Sequence, residues 1–212
     1  VAALGLFQAL ADTWPDDIEK RREILKSTVV TADEFCHWDH HKIKIFDLDN
    51  KKLTRRTMID GDQGSLWEYL DWTLSVSSNS AASMLMRDAM LLRHYGKDYP
   101  VPDAEVQRFF KETPSKERTA LFQETFFEPI TRNGLNIENL RQGSFLTREG
   151  KNKVNGGGNS YGTARELMLF VLRMEQGRLV DEFSSRQIKR LMYMTERRIR
   201  YASSPALKDA AV

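Results

Sequence analysis

The chain has a single cysteine, Cys36, among its 212 residues, so no internal disulfide framework is possible. It has no apolar run near the roughly 18 residues that a membrane-spanning helix needs. No basic segment followed by an apolar stretch and a small-residue cleavage site is visible, so no signal peptide is read. Charge of one sign is also lacking. The formal net charge of +2 is too small to imply a nucleic-acid or membrane partner by itself. Prolines number only six, and three of them stand at expected helix starts. What remains is an ordinary globular composition, 41% hydrophobic and 29% charged, on a chain long enough to bury a sizeable core.

The pattern along the chain is mainly α. Val1 to Ala11 is apolar nearly all round, which predicts a buried helix. Pro15 with Asp16 and Asp17 opens a second helix to about Lys26. Ile43 to Phe46 and Leu53 to Ile59 flank a turn-like Asp49-Asn50-Lys51-Lys52, which fits a short hairpin or two extended segments. Ser65-Leu66-Trp67-Glu68 is a capping box for a helix through Leu74. A helix from about Ser80 to Tyr95 follows, with Leu85, Ala89 and Leu92 inward and Gly96 as its stop. Pro102-Asp103 and Pro114-Ser115 start two more helices. Residues 135–162 read as a polar, glycine-rich Ω-like loop, longer than a compact domain tolerates without a functional reason. Thr163 to Glu166 is a second capping box, before an apolar helix that ends at Gly177. Ser184 or Ser185 is expected to cap a last helix to about Arg198.

The chemistry-bearing stretch is Ser65 to Leu92, centred on Ser77-Ser78-Asn79 and the small residues Ser80-Ala81-Ala82. In an extended loop, residues two apart point the same way, so Ser77 and Asn79 can face one cleft while Ser78 points elsewhere. A serine hydroxyl both donates and accepts, and can pass a proton toward a departing nitrogen. An asparagine amide offers two donors and an acceptor, suited to fixing a substrate amide. The bland reading is a loop or helix cap, which both residue types favour.

This segment resembles the region around the Ser-x-Asn motif of serine β-lactamases and D-Ala-D-Ala peptidases, the penicillin-binding superfamily. Asn159 to Leu167 resembles the re-entry of that family's Ω-type loop into a helix, and Val1 to Leu10 resembles the continuation of its nucleophile-bearing helix. The resemblance implies that residues 1–212 are the helical subdomain, all-helical and without the flanking sheet, of the family's α/β fold. It implies a serine hydrolase acting through an acyl-enzyme on a β-lactam, a peptidoglycan-like amide or an ester. Ser77 and Asn79 would serve as relay and positioning residues, with no cofactor and no metal. It also implies a periplasmic or secreted location.

The chain departs from the family in three places. No serine is followed three residues later by lysine, so the Ser-x-x-Lys nucleophile pair is missing. Lys26-Ser27-Thr28 lacks the glycine of the Lys-Thr-Gly motif. Both motifs are expected just outside the chain, which by itself should not acylate. Arg132 stands where a class A enzyme places the glutamate of Glu-x-x-Leu-Asn, before Leu135-Asn136, and Glu149 is the alternative acid. That favours a peptidase-like enzyme over an efficient β-lactamase. The alternative is a non-catalytic helical binding or regulatory domain of the same shape.

Other candidates reduce to simpler readings. Cys36 to His41 (CHWDHH) has metal-capable side chains but no separated second ligand pair, so it reads as a surface segment. Asp47-Leu48-Asp49-Asn50 lacks the glycine and terminal glutamate of a calcium loop. Gly156-Gly157-Gly158 fits no phosphate-binding pattern and reads as a flexible loop beside the cleft. Glu166 is explained by its capping box. Lys189-Arg190, Arg197-Arg198 and Arg200, with Tyr193 and Tyr201, read as a solvated helix face rather than a nucleic-acid patch.

Overall fold

A computed structural model describes residues 1–47 and 50–194. Helix α1 (Ala2–Thr13) is buried from Ala2 to Leu10, as an apolar run of that length demands. Helix α2 (Ile18–Ser27) starts later than Pro15 suggests. The side chain that accepts from a first-turn amide, Lys20 N, is that of Asp17. Four short strands follow: β1 (Val29–Thr31), β2 (Ile43–Asp47), β3 (Lys52–Arg56) and β4 (Gln63–Ser65). They form two antiparallel pairs, β1 with β4 and β2 with β3, the second being the expected hairpin.

Helix α3 (Leu66–Leu74) opens with the complete Ser65–Glu68 capping box. Then come α4 (Asn79–Tyr95), α5 (Asp103–Glu112), α6 (Ser115–Phe126) and the short α7 (Glu128–Arg132). The loop from 135 to 162 is less irregular than its composition suggests. It holds β5 (Leu140–Arg141) and α8 (Arg148–Lys153), and β6 (Tyr161–Gly162) closes it by pairing with β5. Its glycine run is packed rather than loose: a Cβ on Gly156 would lie 2.2 Å from the Gly143 carbonyl oxygen. Two backbones cross there, and only glycine permits the approach.

Helices α9 (Ala164–Glu175) and α10 (Glu182–Tyr193) complete the described chain. The cap of α10 is Asp181, whose carboxylate accepts from Ser184 N; Ser184 and Ser185 lie inside the helix. The carboxylate reaches an amide three residues on, where the charged acceptor also suits the helix dipole. The expected helix end near Arg198 and the basic residues Arg197, Arg198 and Arg200 with Tyr201 lie outside the described residues, as do Leu48 and Asp49. The fold is therefore mainly helical but not all-helical, because three two-stranded pairs interrupt it. Among the described residues no helix is long and apolar enough to cross a membrane.

Helix α4 is the axis of the molecule. Every residue from Ser80 to Leu92 is buried, against α1, α3 and α6. Helix α1 can approach α6 only because position 5 is glycine; a Cβ there would meet Phe126 Cδ1 and the Thr125 carbonyl oxygen at 2.7 Å. Rings of Phe35, Phe110, Phe122, Phe126 and Phe145 extend the core, with centroids 4.8 to 5.8 Å apart in the contacting pairs. Helix α9 differs. Leu167, Met168, Val171 and Leu172 are exposed by 40–63% and form an apolar face left uncovered by the described residues.

A helix buried all round must satisfy its own polar side chains. Arg87 donates to Asp33 at 2.6 Å and to Asp88 at 2.8 and 3.0 Å, and Tyr99 donates to the other Asp88 oxygen at 2.8 Å. Arg87→Ala is expected to lower stability by about 3–5 kcal/mol, because it leaves the buried Asp88 carboxylate without its counter-ion and takes from the half-buried Asp33 its ion-pair partner. Urea denaturation of the purified variant checks this, and a loss below about 1 kcal/mol would contradict it.

Candidate functional site

The segment between α3 and α4 carries Ser77 and Asn79, and its path is set by hydrogen bonds at both ends. Ser75 N and its hydroxyl both donate to the Asp71 carbonyl, at 2.7 and 2.6 Å, which finishes α3. Ser78 N reaches back to the Trp72 carbonyl at 3.1 Å and closes the turn. Between them Ser77 sits in the left-handed region, with φ of 59°. That conformation is unfavourable for a residue with a Cβ. The alternation expected from an extended loop is present, but from a different cause. Ser77 is exposed, Ser78 buried and Asn79 half-buried, because a left-handed residue is followed at once by a helix start.

Ser78 is the N-cap of α4. Its hydroxyl accepts from Ala81 N at 3.1 Å and donates to Asp39 Oδ2 at 3.0 Å. The same Asp39 oxygen accepts from Ser80 N at 3.0 Å. The other oxygen, Oδ1, accepts from His41 N at 3.1 Å and faces His41 Nδ1 at 2.7 Å. Asp39 thus caps α4 from 39 residues away, placing a buried anion at the positive end of the helix. The Ser80 hydroxyl adds a bond to the Cys36 carbonyl. Burial pushes the Asp39 carboxyl up, but the hydrogen bonds from Ser80, His41 and Ser78 outweigh it and hold it below its ordinary value.

Ser77 and Asn79 therefore stand on either side of a fixed residue, and among the described residues neither side chain is engaged in a hydrogen bond. Asp39 is the participant that sequence reasoning missed. No local pattern announces a cap whose partner is 39 residues distant, and CHWDHH looks like a surface segment. Two of the residues expected to matter are engaged elsewhere. Arg132, in the place of the family's glutamate, donates to both Asp12 oxygens at 2.6 and 2.8 Å. Glu149 lies in the first turn of α8, facing Asn152 at 3.3 Å.

Glu166 does not complete its expected capping box. Thr163 accepts from Glu166 N at 3.2 Å, but the buried Glu166 carboxylate turns to Asn136 N at 2.6 Å. It ties the start of the loop 135–162 to the helix that ends it. A second tie comes from Ser83 on α4, whose hydroxyl accepts from Leu146 N at 3.2 Å and Thr147 N at 3.0 Å. The Thr147 hydroxyl donates to the Phe35 carbonyl at 2.7 Å.

Cys36 is buried, and its thiol is no ready nucleophile. Burial and the charges of Asp60, Asp33 and Asp62 push it up to about 12. Beside it, an open cavity of about 610 Å³ is lined by His37, Trp38, Asp39, Thr57, Met58, Ile59 and Asp60. No family model matches this chain, and searches of curated proteins and of solved structures find no match either.

Asp39→Ala should cost about 2 kcal/mol, the upper range for losing a helix cap. Because the folded-state value is lowered, Asp39 contributes stability above about pH 4 and loses it as pH falls through that lowered value. The wild-type protein should lose its advantage over Asp39→Ala below that range, as read from thermal melts at pH 7 and pH 3. A constant gap between the two pH values would contradict the capping role.

Proposed function

We propose that this chain is the helical subdomain of a serine hydrolase of the β-lactamase and penicillin-binding type. Its substrate class is an amide or ester, a β-lactam or a peptidoglycan-like peptide, attacked through an acyl-enzyme. One observation carries the reading: in Ser77-Ser78-Asn79 the middle residue is locked inward on Asp39, while the exposed Ser77 and the half-buried Asn79 have no side-chain hydrogen bond among the described residues. A relay hydroxyl and a positioning amide need that arrangement, since both must face substrate from a backbone that does not move. In this reading Ser77 passes a proton toward the leaving group and Asn79 holds the substrate amide. The nucleophile and its lysine belong to a part of the enzyme other than these residues, and the enzyme works in the periplasm or outside the cell.

The uncovered face of α9 supports the subdomain half of the proposal. Contiguous exposed apolar side chains on a helix mark a surface that another protein layer covers, here a sheet domain of the same enzyme. The same face would serve a non-catalytic helical binding domain, so the acylation test separates the two readings.

The test uses the full-length protein and a fluorescent penicillin. Ser77→Gly removes the hydroxyl while relieving the left-handed backbone, so stability should hold or rise by up to about 1 kcal/mol. Labelling or turnover should fall by about 100-fold or more in Ser77→Gly, and also in Asn79→Ala. Unchanged acylation in both variants, or no labelling of the full-length protein, overturns the proposal and leaves the binding domain.

A further inference from the structure

The sequence CHWDHH lacks a second, separated metal ligand, and the fold supplies one. Asp60 comes from the turn that leads from β3 into β4, 24 residues after Cys36, and meets both Cys36 and His37. Its Oδ1 lies 3.7 Å from Cys36 Sγ and 2.7 Å from His37 Nε2, and all three ligand atoms fall within 4.8 Å of one another. We propose that Cys36, His37 and Asp60 form a three-ligand site for zinc, with the fourth position open to solvent.

The distances support this directly. Tetrahedral zinc bonds of about 2.3 Å to sulfur and about 2.0–2.1 Å to nitrogen or oxygen set the ligands about 3.4–3.6 Å apart. The sulfur–oxygen span already has that length. The nitrogen–oxygen span must open by about 0.7 Å to reach the tetrahedral separation. The side chains that must move are the freer ones, His37 at 41% and Asp60 at 60% exposure. Cys36 is the fixed, buried member.

The nearby carboxylates point to Asp60 as the one left for a cation. Asp33 is paired with Arg87 and Asp62 with Arg56, whereas Asp60 meets only Cys36 and His37 among the described residues. The neighbouring group Asp39, His40 and His41 fails the same comparison, because both Asp39 oxygens are taken by the cap of α4 and by His41. On binding, the Cys36 S–H bond breaks and its proton passes to buffer as the S–Zn bond forms. His37 Nε2 gives up to solvent the proton it shares with Asp60 and binds the metal, while the ring holds its one remaining proton on Nδ1, taken from solvent. Asp60 exchanges its two hydrogen bonds for one bond to the ion.

The test titrates the metal-stripped full-length protein with zinc alone, and in parallel with cobalt as an optical reporter. One zinc per chain is expected, and cobalt should give a near-ultraviolet sulfur-to-metal band, since sulfur is a direct ligand. His37→Ala and Asp60→Asn, both on the exposed side, should fold normally in thermal melts and lower zinc affinity at least about tenfold. Cys36→Ala should abolish the sulfur band. His40→Ala should change nothing. No stoichiometric zinc, no sulfur band, or affinity that survives His37→Ala and Asp60→Asn but falls in His40→Ala would each overturn the site.

Discussion

A helix with no solvent-facing side cannot carry a polar group without a built partner, and α4 carries several. Ser80, Ser83, Arg87 and Asp88 are all buried, and each is answered by a different part of the chain. Ser80 bonds the Cys36 carbonyl, Ser83 receives the amides of Leu146 and Thr147, Arg87 reaches Asp33, and Asp88 accepts from Tyr99. The central helix therefore fixes the paths of its surroundings through hydrogen bonds as well as through apolar contact. Such bonds are directional, so they select one arrangement among the many that would bury the same area.

That constraint explains what could be read in advance and what could not. Helices α1, α3 and α4 were legible because their signals are local: an unbroken apolar run, a capping box, and Gly96 at a left-handed stop. The Ser77–Asn79 segment was visible for the same reason. Its actual geometry was not, because it depends on Asp39, a residue from a stretch with no secondary-structure pattern of its own. Glu166 gives the same lesson in miniature. Thr163 and Glu166 match the capping pattern, yet the carboxylate prefers Asn136 N, a partner available only once the loop has returned.

The same economy joins the candidate chemistry to the fold. Residues 36–41 place Cys36 and His37 toward Asp60, and Asp39 toward α4, within a few residues of each other. Trp38 stands between them with φ of 71°, which turns the chain so that its neighbours face opposite ways. The stretch that looked like undifferentiated surface is thus a junction. One side secures the start of α4, beside which Ser77 and Asn79 stand, and the other brings the buried Cys36 together with the more exposed His37 and Asp60.

The two ties on the loop 135–162 divide it into parts with different freedom to change. Glu166 holds its entrance at Asn136, and Ser83 holds its middle at Leu146 and Thr147. Gly143 and Gly156 admit nothing larger where the backbones cross. Between Gly156 and Thr163 the side chains are exposed while the backbone is held, since Gly158 and Asn159 close on Gly143, Ser160 accepts from Gly143 N and Tyr161–Gly162 pairs with β5. Exposed side chains there, such as that of Asn159, can be exchanged one for one, whereas a change of length would undo the glycine crossing and the β5–β6 pair together.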